Sequence, residues 1–415
     1  MDLSSLPQAP RAPARGQGIA RGERDFYRAI AALFFGGFST FSLLYSVQPL
    51  LPVFTREYGV SPAESSVALS LTTAVLAFAL LLAGTISEVL GRKRVMVFSL
   101  AAASATTLLV VLARDWGQLL LLRALTGLAL SGLPAVAMAY LADEMAANAI
   151  GLAMGLYIAG NSVGGLAGRL TLALFADHDW WRGGMALVGI LGLASAALLY
   201  RALPESRAFA PQKPNLQALW RSLIGHFADP GLRLLFLVGF LLMGAFVTVY
   251  NYIGFLLFAP PFSLNQTQVG LIFVLYLLGG VSSAAMGDLA TRFGRRRVLW
   301  TGMAIMLAGL AATLTGNLIA IVAGVGLITI GFFGAHSIAS SWVGLRAETA
   351  KAQASSLYLL FYYLGSSAAG TLGGWFYSAG GWPAVAALVG ALTLGAMIVA
   401  LLLSQVPPPR HLARG

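Results

Sequence analysis

Apolar residues run through this chain in stretches of about 20, separated by short polar clusters. Runs of that length without strict alternation read as helices able to cross a bilayer. Twelve are visible, near 28–50, 64–88, 94–113, 117–142, 148–170, 183–203, 232–258, 267–288, 297–316, 318–344, 353–377 and 383–405. The pattern predicts an all-α membrane protein. Its longest internal connection, 204–230, carries Pro204, Pro211 and Pro214 and divides the runs six and six. A short interfacial helix is expected there, around 216–227. The expected organisation is a disordered tail (1–27), a six-helix domain (28–203), a linker (204–230), a second six-helix domain (231–406) and a tail (407–415).

The halves echo one another. Gly91-Arg92-Lys93-Arg94-Val95 returns 203 positions later as Gly294-Arg295-Arg296-Arg297-Val298. Gly160, Gly165 and Gly168 match Gly365, Gly370 and Gly373 at a spacing of 205, as Tyr45 matches Tyr250. Trp181 and Trp382 open similar Gly/Ala-rich runs. Six spans per half, an even number, insert both halves in the same direction, related by an axis along the membrane normal.

Composition agrees with the pattern. Of 415 residues, 58% are hydrophobic and 10% charged, where a soluble domain carries about 25% charged residues. A net charge of +11 would suggest nucleic acid in a soluble protein, but here the cations sit in loops, and no nucleic-acid partner is expected. Loops on one side hold nearly all of them, and the other side keeps Arg56, Arg114, Arg182 and Arg169. The positive-inside rule then places both termini in the cytoplasm. There is no cysteine, so disulfide and thiol chemistry are excluded. No cleavable signal peptide is visible.

The repeated turns carry mechanism. The first reads Gly84-x-x-x-Glu88-x-x-Gly91-Arg92, and the second Gly287-Asp288-x-x-x-Arg292-x-Gly294-Arg295. The glycines allow tight turns and close helix approach. Acids at helix ends and the following cations can pair across the cytoplasmic face, as a latch that breaks when the protein opens inward. Setting topology alone is the other reading. Arg123 is read as the only strongly basic residue well inside the spans. It must find a partner in the bundle, either carbonyls and first-span groups such as Gln48, or an anionic or strongly polar substrate. His336 is the one histidine inside a span and the candidate proton-coupling residue. A neutral, hydrogen-bonded histidine is the alternative. Tyr45, Gln48, Tyr250 and Asn251 sit near the outer ends of the lead spans, where they line a polar cavity or form an aromatic belt. Tyr157 and Asn161 share one helical face, as do Tyr358 and Tyr362.

The turns resemble motif A of the major facilitator superfamily, Gly-x-x-x-Asp-Arg-x-Gly-Arg-Arg/Lys, over essentially the whole chain from residue 28. Glu88 stands for the Asp and Val89 for the Arg in the first copy. Thr291 holds the Asp slot in the second, and Asp288 is displaced by three positions. Arg123-x-x-x-Gly127 is similar to motif B. Gly160-Asn161-Ser162-Val163-Gly164-Gly165 resembles motif C of the antiporters, with Asn161 replacing its proline. Tyr250-Asn251-Tyr252-Ile253 and Ala335-His336-Ser337 look like the bacterial arabinose-efflux-permease-like group of the twelve-span drug–proton antiporter branch. The resemblance implies a monomeric secondary transporter with two six-helix domains in a bacterial inner membrane, working by alternating access around a central site. The candidates read here for its lining are Tyr45, Gln48, Arg123, Tyr157, Asn161, Tyr250, Asn251, His336 and Tyr362.

No Gly-x-x-x-x-Gly-Lys-Ser/Thr loop is present, so ATP is not expected to drive it, and a proton gradient is. No cofactor or metal is expected. The expected partners are a small-molecule substrate, a proton and the bilayer. Proton-coupled efflux leads; the alternative moves an anionic metabolite, in or out, with Arg123 as counter-charge. A membrane-embedded enzyme or receptor is disfavoured, since an interior nucleophile–base or metal set is missing from the sequence.

Overall fold

The computed structural model describes residues 18–146, 148–206 and 216–407. Among the described residues, ten helices are long and apolar enough to cross a membrane: Arg24–Tyr58, Pro62–Leu90, Arg92–Val110, Trp116–Glu144, Ile150–Asp177, Trp181–Ala202, Pro230–Phe258, Gln266–Phe293, Leu318–Arg346 and Lys351–Gln405. Arg295–Ala312 is an eleventh span behind three arginines. The 55-residue Lys351–Gln405 is two spans, because Gly380 and Gly381 leave helical φ/ψ and Pro383 follows. The twelve expected spans are therefore present, in chain order.

Local chemistry fixes the ends. Ser61 and Glu64 form a capping box on the second span, and Asn265 with Gln268 forms one on the eighth. Asp115, Asp229 and Asn317 cap the fourth, seventh and tenth. Gly91 and Gly294 adopt φ of 91° and 86°, where a side chain would be strained, which accounts for a glycine at the same place in both turns. Trp181 and Trp382, each buried, anchor the last span of their halves through Nε1, to Glu57 Oε2 at 2.5 Å and to Thr313 Oγ1 at 3.1 Å.

The first half closes around a seam of glycines. A Cβ on Gly160, Gly164 or Gly168 would sit 2.4, 2.0 or 2.7 Å from the backbone of Phe34, Phe38 or Ser42. Steps of four on both helices bring the first and fifth spans into backbone contact. Gly365 meets Phe240 in the same way, at 2.0 Å. The motif C-like face thus packs inside one half and is not the surface on which the halves slide.

Two spans are broken. The first leaves the α-helix at Tyr45, passes a 3₁₀ turn at Gln48–Leu50 and resumes at Leu51–Tyr58. Pro49 and Pro52 lack the N–H groups a continuous helix needs. The eighth runs as a six-residue 3₁₀ segment, Leu271–Tyr276, before Leu277–Phe293. Such runs mark strain or a hinge.

The chain departs from expectation at its start. The expected tail, 1–27, is structured from Gly18: the Ile19 N–H donates to the Glu144 carbonyl at 2.7 Å, and the Ile19 carbonyl accepts from Ala146 N–H at 3.0 Å. Main-chain pairing seats Ile19, fully buried, against the loop after the fourth span. Leu216–His226 is helical, as expected of the linker. Residues 1–17, 207–215 and 408–415 of the expected tails and linker lie outside the described residues.

Candidate functional site

Two faces can be distinguished by the chain ends. The terminal face carries Arg24 and Gln405, and the far face carries the Tyr58–Pro62 turn. From the far face inward to about mid-span the halves are joined. Gln48 Nε2 donates to Asn251 Oδ1 at 2.8 Å. Thr73 and Ser367 share a hydroxyl bond of 2.8 Å, and Ser367 also donates to the Ser70 carbonyl. Asp177 accepts from Gln266 N–H at 3.0 Å and Thr267 Oγ1 at 2.9 Å. A Cβ on Gly270 would lie 2.5 Å from that of Ala173, and one on Gly374 would press on the Ala63 backbone.

Toward the terminal face the same spans part. Gln266–Tyr276 packs along the fifth span, and Leu277–Phe293 leaves it. Gly84, Gly151, Gly155, Gly280 and Gly287 have open space where a side chain would stand. Among the described residues the latch residues make no bridge between halves. Arg92 pairs with Asp143 and Arg292 with Asp288 at 2.8 Å, each within its own half, and Lys93 pairs with Glu205 of the linker at 3.0 Å. Glu88 is exposed and Arg295 lies in the exposed start of the ninth span.

Within this seal lies a cation that the span bounds expected from the sequence place outside. Arg169, counted with the outer loops, is 1% exposed, and Arg123 is therefore not the only strongly basic residue inside the spans. The fifth span continues to Asp177, beyond the expected end at 170, which carries Arg169 two turns inside. Its guanidinium lies 4.2 Å from the Tyr45 ring centre, 4.4 Å from Tyr276 and 5.1 Å from Phe273. Nε donates to Gln48 Oε1 at 2.7 Å, Nη1 to the Gly165 carbonyl at 2.8 Å and Nη2 to the Tyr276 hydroxyl at 3.3 Å. No carboxylate pairs with it among the described residues. A charge inside a span is costly unless it finds partners, and three ring faces with three neutral acceptors are what surrounds this one.

Arg123 is buried differently. Nε donates to the Ala68 carbonyl at 3.2 Å, Nη1 to Leu43 at 3.1 Å and Nη2 to Leu44 at 2.8 Å. Leu43 and Leu44 end the first α-helix, where carbonyls lose their partners and the helix dipole is negative. Arg123 is thus a cap on the broken span.

The remaining candidates fall into two groups. Tyr45 and Tyr250 are interior, 7% and 2% exposed, and not an outer belt. Tyr250 donates to or accepts from Thr329 at 2.7 Å and packs edge-on to Tyr276 at 4.6 Å. His336 shares a 3.0 Å bond with the Tyr358 hydroxyl, lies parallel to Phe332 at 5.7 Å and approaches Tyr362 at 4.7 Å. Tyr362 lies 6.4 Å from Phe332, which stacks at 3.8 Å on Phe246 beside Tyr250 and Tyr276, so the two groups adjoin. Tyr157 and Asn161 pack over Gly37 and face one another, yet neither the Tyr157 hydroxyl nor Asn161 Oδ1 has a well-formed partner. Asn251 Nδ2, Ser70 Oγ and Ser366 Oγ are likewise buried and unpartnered. Asn251 Nδ2 and Ser70 Oγ both border the space left by Gly370.

Sequence reasoning missed Arg169, Phe273, Tyr276, Asp177 and Ser367. The available signal was position: Tyr157, Asn161, Gly165 and Arg169 recur every four residues on one helical face.

The arrangement of two six-span halves around this interior has close parallels. The model of the Major Facilitator Superfamily matches residues 33–262 and 245–415. The chain is 48% identical over 383 residues to the inner membrane transport protein YnfM of Escherichia coli (strain K12), covering 92% of each chain. It is 44% identical over 386 residues to the MFS-type transporter YybF of Bacillus subtilis (strain 168), covering 93% of this chain and 95% of that one. In structure it resembles a bacterial homologue of the human lysosomal transporter Spinster, in an inward-facing and occupied conformation. The TM-score is 0.73 at 15% identity, over 91% of this chain and 96% of that one. The chain belongs to the major facilitator superfamily, as a multi-pass membrane transporter of small molecules.

Proposed function

We propose that this protein is a monomeric, proton-coupled exporter of a small organic solute, working by alternating access in the inner membrane. The observation that carries the reading is the asymmetry of the two faces. The halves are bonded together at the far end and parted at the end that holds the termini. With the termini in the cytoplasm, as the loop cations favour, this is a transporter open inward. Rocking would break the far-face bonds and close the glycine faces at Gly84 and Gly287. Export draws on the likeness of Gly160–Gly168 to the antiporter motif.

His336 is the proton site in this reading. It is the one histidine in a span, bonded to Tyr358 and beside Tyr362, within the aromatic interior. The counter-charge role considered for Arg123 has less support, because each of its three nitrogens donates to a backbone carbonyl of its own half. Everted vesicles with an imposed pH gradient test the coupling. His336→Gln is expected to lower gradient-driven transport at least tenfold while solute exchange without a gradient continues. Full gradient-driven transport with an unshifted pH profile would move the proton site elsewhere, to Glu88, Asp143 or Glu144 near the terminal-face helix ends.

A further inference from the structure

The interior of this transporter holds a guanidinium with no carboxylate partner among the described residues. Arg169 is 1% exposed, lies between the halves, and bonds only to an amide, a carbonyl and a phenol. Three aromatic rings surround it, from the first span (Tyr45) and the eighth (Phe273, Tyr276). The Tyr276 bond is the longest of the three, at 3.3 Å, and the hydroxyl is a neutral acceptor. A guanidinium presents a planar fork that matches a carboxylate far better than a phenol does. Aromatic neighbours extend from this point through Tyr250 to Phe332, His336 and Tyr362. Unpartnered buried polar atoms on Tyr157, Asn161, Asn251 and Ser366 lie on the spans that form this interior.

Resting on the transport reading above, we propose that Arg169 recognises the transported solute, and that the solute is an aromatic organic anion. Its carboxylate takes the place of the Tyr276 hydroxyl on the guanidinium, and its ring lies among the tyrosines and phenylalanines. Recognition is then coupled to the seal. Tyr276 ends the 3₁₀ segment that packs on the fifth span, and the Arg169 Nε bond holds Gln48, which in turn holds Asn251 of the other half. An anion that draws the guanidinium away from Tyr276 loosens the far-face contacts that outward opening must break. Arg123 has no such position: its donors end on the first and second spans of its own half.

The test is equilibrium binding to the full chain in lipid nanodiscs, with three compounds of one shape: 4-hydroxybenzoate, the neutral 4-hydroxybenzamide and the cationic 4-hydroxybenzamidine. The wild-type protein is expected to bind the carboxylate at least tenfold more tightly than the amide, and the cation least. Arg169→Gln is expected to bring the carboxylate-to-amide ratio to about one. Tyr276→Phe removes the competing hydroxyl without touching the charge, and is expected to tighten carboxylate binding about threefold. It keeps the idea testable should Arg169→Gln fail to fold. Equal binding of acid and amide by the wild type, a preference surviving in Arg169→Gln, or weaker acid binding in Tyr276→Phe would each overturn the proposal. Because binding is read without a gradient, a protein that prefers the acid but shows no proton-driven transport leaves this inference standing and removes the coupling. Proton-driven movement of solutes with no charge preference does the reverse.

Discussion

Thr73→Cys combined with Ser367→Cys is expected to form a disulfide under mild oxidation and to stop transport almost completely, with full recovery on reduction. The two hydroxyl oxygens are 2.8 Å apart and come from opposite halves, the second span and the eleventh. Sulfur atoms in their places need to approach to about 2.05 Å, a small adjustment for side chains already pointing at each other. The natural chain has no cysteine, so no other thiol competes and no background substitution is required. The bond fixes a contact that must open for the cavity to face outward. Each single variant loses the shared hydroxyl bond and the bonds its hydroxyl makes to nearby carbonyls, each worth about 1 kcal/mol, and is expected to keep most of its transport. Oxidised double variant that still transports at the rate of the singles would show that the second and eleventh spans do not separate here during the cycle. Mobility on a denaturing gel, with and without reductant after cleavage in the 207–215 linker, reports the crosslink independently of transport.

That contact also shows where sequence reasoning reaches and where it stops. Spans are legible because a bilayer demands long apolar runs, and every run of the chain announces itself. The duplicated turns are legible because a positive φ requires glycine twice, at Gly91 and Gly294. What pairs with what across the halves is not encoded in any local pattern. Gln48 and Asn251 were identifiable as interior amides, since an amide gains little against lipid, but nothing in either segment says that each is the other's partner. Arg169 failed for a sharper reason. A helix end misplaced by seven residues, between 170 and Asp177, turned an interior cation into an apparent surface one. Arg123 could be read as buried and in need of partners, but its partners are carbonyls released by a helix break that becomes visible only when the first span is folded.

A contrast between two glycines separates the parts of the molecule that hold it together from those that let it move. Gly164→Ala is expected to destabilise the first half by roughly 3 kcal/mol and to cut the yield of folded protein in the membrane severely. The added Cβ would lie 2.0 Å from the Phe38 carbonyl oxygen and 2.4 Å from its Cα, and backbone cannot swing aside as a side chain can. Ser42 Oγ also donates to the Gly164 carbonyl at 2.6 Å, which ties the same two helices at that level. Gly84→Val is expected to behave in the opposite way. Open space surrounds Gly84 in this conformation, so the variant folds with a melting temperature close to that of the wild type. Its transport is nevertheless lost, because the second span can no longer be approached when the terminal face closes. Melting temperature and vesicle transport, measured on both variants, decide the matter. A Gly84→Val protein that transports normally would mean that the face at Gly84 stays open throughout the cycle, and that the cationic turn behind it sets topology alone. A well-folded Gly164→Ala protein would mean that the first and fifth spans can spread apart by about 1 Å at little cost, against the close packing that protein interiors maintain.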